Sequence, residues 1–469
     1  MNKSVHILRY GTVGEKAHLE KAISTYDYLS INGNSAAYVS SAIAKFVVEK
    51  FFNDESKGFF IDPITYAFQN NIHLLRSTSK AGEPTIKKSI VKLIEAYGNP
   101  IDKVFSGAVV TPSDFSEDNI AQQFCRRVLS FQYSVIRDYI REKDLEKYLL
   151  YVADIPSLDA VNQLRPKILI PPYFYLNPRD SNFEKWLYLN VNFINISLSQ
   201  SHNYFGSIPV YGQIVLSKES LQDKKFINQI ANAYQNCACA GFTIWIDGLN
   251  EHEADIGTLK SFTELLGKLK GKAIYNMYGG YFSILLTHSS IGLLQGVSHG
   301  MEYGESREVY PVGGGIPVSK YYYMPLHQRI DFTKAFYFLE YNGILDTNLE
   351  NWGTCDKYYN EICKCEQCNK IMEDSMINFV KFESDQFYEV KRKNSITRRK
   401  KASSETKENC LYHFLLCKKM EFTMVKKRKL SELLDRLKSE KKRYQNCSFI
   451  NVGELDYLDN WVKVLVQFR

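Results

Sequence analysis

Residues 209–246 read PVYGQIVLSKESLQDKKFINQIANAYQNCACAGFTIWI. An apolar run over 209–215 is followed by a stretch, 222–238, in which apolar residues recur every three or four positions, and then by a second apolar run over 242–246. Short apolar strands joined through a helix of that period pair in parallel, by a β-α-β crossover. The same alternation extends in both directions. Strands are expected at 5–8, 58–62, 167–170, 187–196, 273–277 and 292–296, and another helix at 256–269. Eight strands within residues 1–345 predict an α/β fold, a (β/α)8 TIM-like barrel, with a doubly wound open sheet as the alternative. The segment 114–151 is helical in pattern and polar on one face, and reads as an insertion into a barrel loop. Residues 346–469 form a second module.

Composition suits one large core with an appendage: 469 residues, 45% hydrophobic and 14% aromatic. The N-terminal MNKSVHILRY lacks an apolar leader core, and no run approaches 18 apolar residues, so a cytoplasmic protein without a membrane partner is expected. Ten cysteines in such a chain suggest reduced thiols and metal binding. The net charge of +7 is concentrated late, in KRKNSITRRKK (391–401) and over 418–442. The first of these has no apolar face. It reads as a mobile basic loop, 391–408, whose Lys391, Arg392, Arg398, Arg399 and Lys400 would meet the phosphates of a polyanion without reading its sequence. A solvated loop with no partner is the plain alternative. A charged helix is expected over 420–444.

EICKCEQCNK (361–370) carries the pattern C-x-C-x-x-C, and LYHFLLCKKMEF (411–422) carries a histidine in a helical stretch. Three thiolates on a tight turn and one imidazole from the next helix complete the tetrahedron that Zn²⁺ prefers. Cys363, Cys365, Cys368 and His413 are therefore the expected ligands of a structural zinc, with Cys355, Cys410 and Cys417 as competitors for the fourth place. In a barrel, reactive groups collect at the C-terminal ends of strands. Asp62 closes GFFIDPITYAF, Gln213 lies in PVYGQIVLS, and Asp247 with Gly248 ends GFTIWIDGLNE. Each acid has an ordinary reading as a turn residue, since Asp-Pro and Asp-Gly are turn dipeptides. The stretch GLLQGVSHGMEYGESR (292–307) adds Gly296, His299, Glu302, Glu305 and Arg307, and PVGGGIP (311–317) follows. A glycine-rich loop at a strand end lets a ligand approach the backbone. Neither GxGxxG nor a phosphate-binding GxxxxGK[ST] is present, which argues against a dinucleotide enzyme or an NTPase.

Together these parts resemble the tRNA-guanine transglycosylase superfamily, in which a (β/α)8 barrel carries a zinc subdomain with C-x-C-x-x-C and a following helical histidine. Asp62 falls where that family has its first aspartate, YGQIV resembles its G-I-V-Q-G strand, and IDGLNEHE resembles its G-G-L-A-V-G-E segment. The departures place the chain closest in character to the branch that inserts 7-deazaguanine bases into DNA. IDPITYAF stands for T-D-S-G-G-F-Q, and the nucleophilic aspartate aligns with Gln295. The resemblance implies base exchange at C1′ of a nucleotide, with DNA favoured and tRNA possible as substrate, a 7-deazaguanine base entering, and accessory proteins as possible partners. Two acids share such chemistry, one toward the sugar and one toward the base. Asp62, Asp247, Glu302 and Glu305 are the catalytic candidates, and Gln213, Gly248, Gly296, His299 and Arg307 the substrate-binding ones. A flipped base would stack on Tyr66, Tyr278 or Tyr281. The rivals are a tRNA enzyme, a non-catalytic nucleic-acid-binding subunit, supported by Gln295, and an unrelated barrel hydrolase.

Overall fold

The computed structural model describes residues 4–468 apart from 11–15, 53, 70–71, 79–82, 141–146, 148–149, 151–163, 302–303, 311–318, 346–354, 385 and 393–394. Its centre is a seven-stranded sheet of β1 (Val5–Tyr10), β2 (Tyr28–Asn32), β3 (Gly58–Asp62), β4 (Tyr211–Leu216), β5 (Gly241–Ile246), β6 (Ala273–Asn276) and β7 (Gly296–Gly300). The order across it is β3-β2-β1-β7-β6-β5-β4, and every pairing is parallel. Strands β3, β4 and β5 are buried along their whole length, as the continuous apolar runs of a sheet covered on both faces require. The sheet is curled: the stretch 167–170 reaches both of its edges. Lys167 N–H donates to the Phe59 carbonyl of β3 at 2.8 Å, Leu169 N–H donates to the Pro209 carbonyl at 2.9 Å, and the Leu169 carbonyl accepts from Tyr211 N–H of β4 at 3.0 Å.

Four expectations change. The run 187–196 is no strand; it lies inside the helix Phe183–Tyr204. Its alternation of Leu187, Leu189, Val191 and Phe193 imitates a strand, but the buried side chains Phe183, Trp186, Asn190, Phe193, Ser197 and Ser201 follow a helical period, and Tyr188 is exposed. The strand expected at 292–296 begins only at Gly296, after a turn of buried leucines. Strand β2, YLSIN, was not anticipated, because Ser30 and Asn32 interrupt its apolar character although both are buried. Of the stretch 114–151, the helix Asp118–Ile140 packs between the helices Ser40–Phe51 and Phe183–Tyr204, so this part belongs to the outer helical layer.

The C-terminal part also differs. The basic segment is an antiparallel hairpin of Gln386–Arg392 and Ser395–Lys401, not a structureless loop, and the helix expected over 420–444 is two, Ser404–Lys427 and Leu430–Tyr444. A second hairpin, Tyr321–Tyr323 with Gln328–Ile330, buries three consecutive tyrosines against helix Ser404–Lys427. The apolar core is continuous from β1 to Leu465.

Candidate metal centre and the mouth of the curled sheet

Cys363, Cys365, Cys368 and His413 meet in one buried cluster, with a ligand atom from each lying within 4.8 Å of all the others. Cys365 caps the short helix Glu366–Met372, so its thiol faces back over the turn, and His413 comes from helix Ser404–Lys427. His413 Nδ1 lies 3.3 Å from Cys365 Sγ and 3.2 Å from Cys368 Sγ. Metal–ligand bonds of about 2.0–2.3 Å imply tetrahedral edges of roughly 3.5 Å, so the donors are nearly in place. The imidazole is oriented as a ligand: Nε2–H donates to the Tyr322 carbonyl at 2.8 Å, which leaves the Nδ1 lone pair aimed at the sulfurs. Backbone N–H groups of Cys365 and Cys368 donate to the preceding thiols, and Tyr358 Oη lies 3.0 Å from Cys368 Sγ. Hydrogen bonding from Cys363 pulls the Cys365 thiol far below its usual range, toward the thiolate a metal ion would need. Such a cluster could hold a metal ion. Cys417 lies 3.7 Å from Cys363 and from His413, at the margin, while Cys410 bonds the Phe382 carbonyl and Cys355 stands apart.

At the C-terminal ends of the strands a second polar cluster forms. Arg9 is the penultimate residue of β1 and Asp62 the last of β3, 3% and 2% exposed. Arg9 Nη2 donates to Asn32 Oδ1 and to Asp62 Oδ2, the latter at 3.3 Å. Asp62 Oδ1 accepts from Tyr173 Oη at 2.5 Å and from Ile64 N–H at 3.0 Å. Asp247, past the end of β5, accepts from Tyr175 Oη and from Val309 N–H, both at 2.7 Å. Tyr173 and Tyr175 sit two residues apart, roughly 7 Å on an extended chain, so one stretch presents a hydroxyl to each acid. Burial, then the charge of Asp62, pushes Tyr173 well above its usual pKa and keeps it a donor. Trp245 lies between Tyr66 and Tyr278, at 5.3 and 4.9 Å, and donates its indole N–H to the Arg307 carbonyl. Burial pushes Tyr66 up to about 12. Arg307 Nη1 donates to Tyr278 Oη at 3.1 Å. Gly248, at φ +62°, gives its N–H to the Arg307 carbonyl, a left-handed turn that docks the 304–309 loop on β5.

The expected site residues thus divide. Asp62, Asp247, Gly248, Arg307, Tyr66 and Tyr278 come together at the mouth. Gln213 lies deeper in the sheet, accepting from Thr243 Oγ1 at 2.5 Å. His299 and Gly296 are not there. His299 faces outward beneath helix Ser404–Lys427, 3.1 Å from the His6 Nε2 and against Phe414, because alternate residues of β7 face opposite sides; burial holds it far below its usual pKa. Gly296 opens β7 at the opposite end, where a Cβ would come 2.8 Å from the Tyr275 ring. Glu305 is engaged elsewhere, ion-paired to the buried Lys418, which also binds Glu421 at 2.8 Å and Tyr322 Oη. Tyr281 stacks on His327 at 3.5 Å, away from the mouth. Gln295 precedes β7, at the end opposite the mouth; its side chain bonds Ile274 N–H and the Gly292 carbonyl. Glu302 and the stretch PVGGGIP lie outside the described residues. Strand Ser395–Lys401 is exposed throughout, with Arg398 over Phe387 at 4.1 Å and Lys400 bonded to Glu383 at 2.5 Å; of Lys391 and Arg392 only the backbone is described.

The sequence reading missed Arg9, Tyr173, Tyr175 and Trp245. Arg9 in VHILRY carries the same signal as Asp62, a charge closing an apolar strand, and PPYFYLN alternates its tyrosines just beyond 167–170. No family model matches the chain, and no curated protein is significantly similar to it.

Proposed function

We propose that the chain is a base-exchange transglycosylase of the 7-deazaguanine type, acting on a nucleic acid, with DNA favoured over tRNA. The observation that carries the reading is the pair of acids, Asp62 and Asp247, each held by a tyrosine of one extended stretch at the same end of a curled parallel sheet. In this reading the stretch 167–170 supplies the eighth strand and closes a (β/α)8 barrel, and the cysteine–histidine cluster holds structural Zn²⁺, which ties the module 346–469 together. Asp62 is the acid/base group in this reading: it gives a proton to the departing guanine and takes one from the entering 7-deazaguanine, so the exchange is proton-neutral overall. Asp247 then faces the sugar, where a carboxylate attacks or stabilises the developing oxocarbenium centre as guanine leaves. Tyr66, Trp245 and Tyr278 offer ring faces for an extruded base. The basic hairpin supplies phosphate contacts. The Gln295 argument for a non-catalytic subunit weakens, because that residue is far from the mouth. Labelled guanine and 7-deazaguanine offered with DNA and with tRNA test the reading: wild type is expected to incorporate label and Asp62→Ala to abolish it. Absence of label from both polymers would refute it.

A further inference from the structure

We propose that Arg9 and Arg307 form a seat at the barrel mouth for a phosphate group. Both guanidiniums lie against the same pair of rings. Arg9 Cζ lies 4.9 Å from the Tyr278 ring centre and 5.9 Å from that of Trp245; Arg307 Cζ lies 5.9 and 6.0 Å from the same rings. Stacking on these rings fixes the cationic planes without neutralising them. A single carboxylate, that of Asp62, meets Arg9, and Asp247 is occupied by Tyr175 and Val309. Asp247 takes its hydrogen bonds from neutral donors, and no ion pair to Arg307 is found among the described residues. Arg9 is 3% exposed, yet its Nε and Nη1 have no hydrogen-bond partner among the described residues. A buried guanidinium is costly with its donors unpaired, and the free Nε–H and Nη1–H groups, which lie on different edges, can each donate to a separate oxygen of an anion. Phosphate fits two guanidiniums better than a carboxylate does, since its tetrahedral oxygens serve both at once.

Assigning that phosphate to a nucleotide rests on the base-exchange reading; the seat itself rests only on the geometry. Calorimetric titration of the full chain with inorganic phosphate, dGMP and deoxyguanosine tests it. The expected result is saturable dGMP binding at least tenfold tighter than deoxyguanosine and displaced by inorganic phosphate. If inorganic phosphate binds as tightly as dGMP, the seat takes the free ion, and the nucleotide assignment falls while the seat stands. Arg307→Met should weaken dGMP at least tenfold with an unchanged melting temperature. Equal binding of dGMP and deoxyguanosine, or unaltered affinity in Arg307→Met, overturns the proposal. The Nε–H resonances of Arg9 and Arg307 in the wild-type protein give a readout independent of variants: phosphate must shift both, and signals that stay put sink the seat. Because no base transfer is measured, base exchange can fail with this binding intact, and the reverse.

Discussion

The cysteine–histidine cluster and the polar cluster at the mouth of the curled sheet are both buried, yet they are built on opposite plans. In the cluster, donors from a turn and a helix converge within 4.8 Å, and second contacts from Tyr322, Tyr358 and two backbone N–H groups complete them. At the mouth the acids are held apart by separate tyrosines, and Arg9 keeps unpaired donors. A closed donor set fits a structural element, because nothing is left to react. An open one fits a place where another molecule completes the hydrogen bonds.

Removing metal should break the closed side most completely. Structural zinc contributes on the order of 10 kcal/mol to folding of small modules. Chelation, or Cys368→Ser, is expected to collapse the C-terminal part and strip bound metal, as melting curves and metal analysis would record; an unchanged melt after chelation would contradict a structural role. On the open side, Asp62→Asn should lower base incorporation by about 10³-fold or more while the melting temperature holds. A parallel fall in both would recast Asp62 as a packing residue.

Between the two lies the buried network of Lys418, Glu421, Glu305 and His327, which joins the metal helix to the mouth loop. Lys418→Met is expected to cost about 3 kcal/mol, because it leaves Glu421 buried without its cation. Glu421 is buried, which opposes its charge, but Lys418 outweighs this and holds its carboxyl down at about 2. A depressed acid contributes stability that is fully present above its unfolded value near 4.5 and lost as pH falls toward 2. Glu251 runs the other way, since burial pushes it up to about 7. Its contribution is present below pH 4.5 and lost as pH rises through 7, so denaturant midpoints should peak near pH 4.5 and decline from there toward 7, and Glu251→Gln should flatten that decline.

The smallest effect belongs to the exposed hairpin. Reversing Arg398, Arg399 and Lys400 should weaken nucleic-acid binding roughly ten- to a hundredfold at low salt and reduce the slope of log affinity against log salt by about one per lost phosphate contact. Equal slopes for wild type and variant would remove the hairpin from the interface.

The parallel strands and the metal ligands were legible in the sequence, because each is a local pattern. An apolar run such as GFFID or GFTIWI announces a buried strand, and C-x-C-x-x-C fixes three thiols on one turn by chain connectivity alone. The helix Phe183–Tyr204 was not legible, since Leu187, Leu189, Val191 and Phe193 satisfy a period of two, while the helical period is carried partly by the polar Asn190, Ser197 and Ser201. His299 carries no mark of which side of β7 it faces; a shift of one residue in the strand's start reverses inside and outside. Chain chemistry thus determined which segments must be buried and which thiols could share an ion. Only the tertiary structure brought Arg9, Asp62, Tyr173, Asp247 and Arg307 to one mouth and drew Glu305 away to Lys418, because contacts between residues far apart in the chain depend on register and curl, which no local pattern encodes.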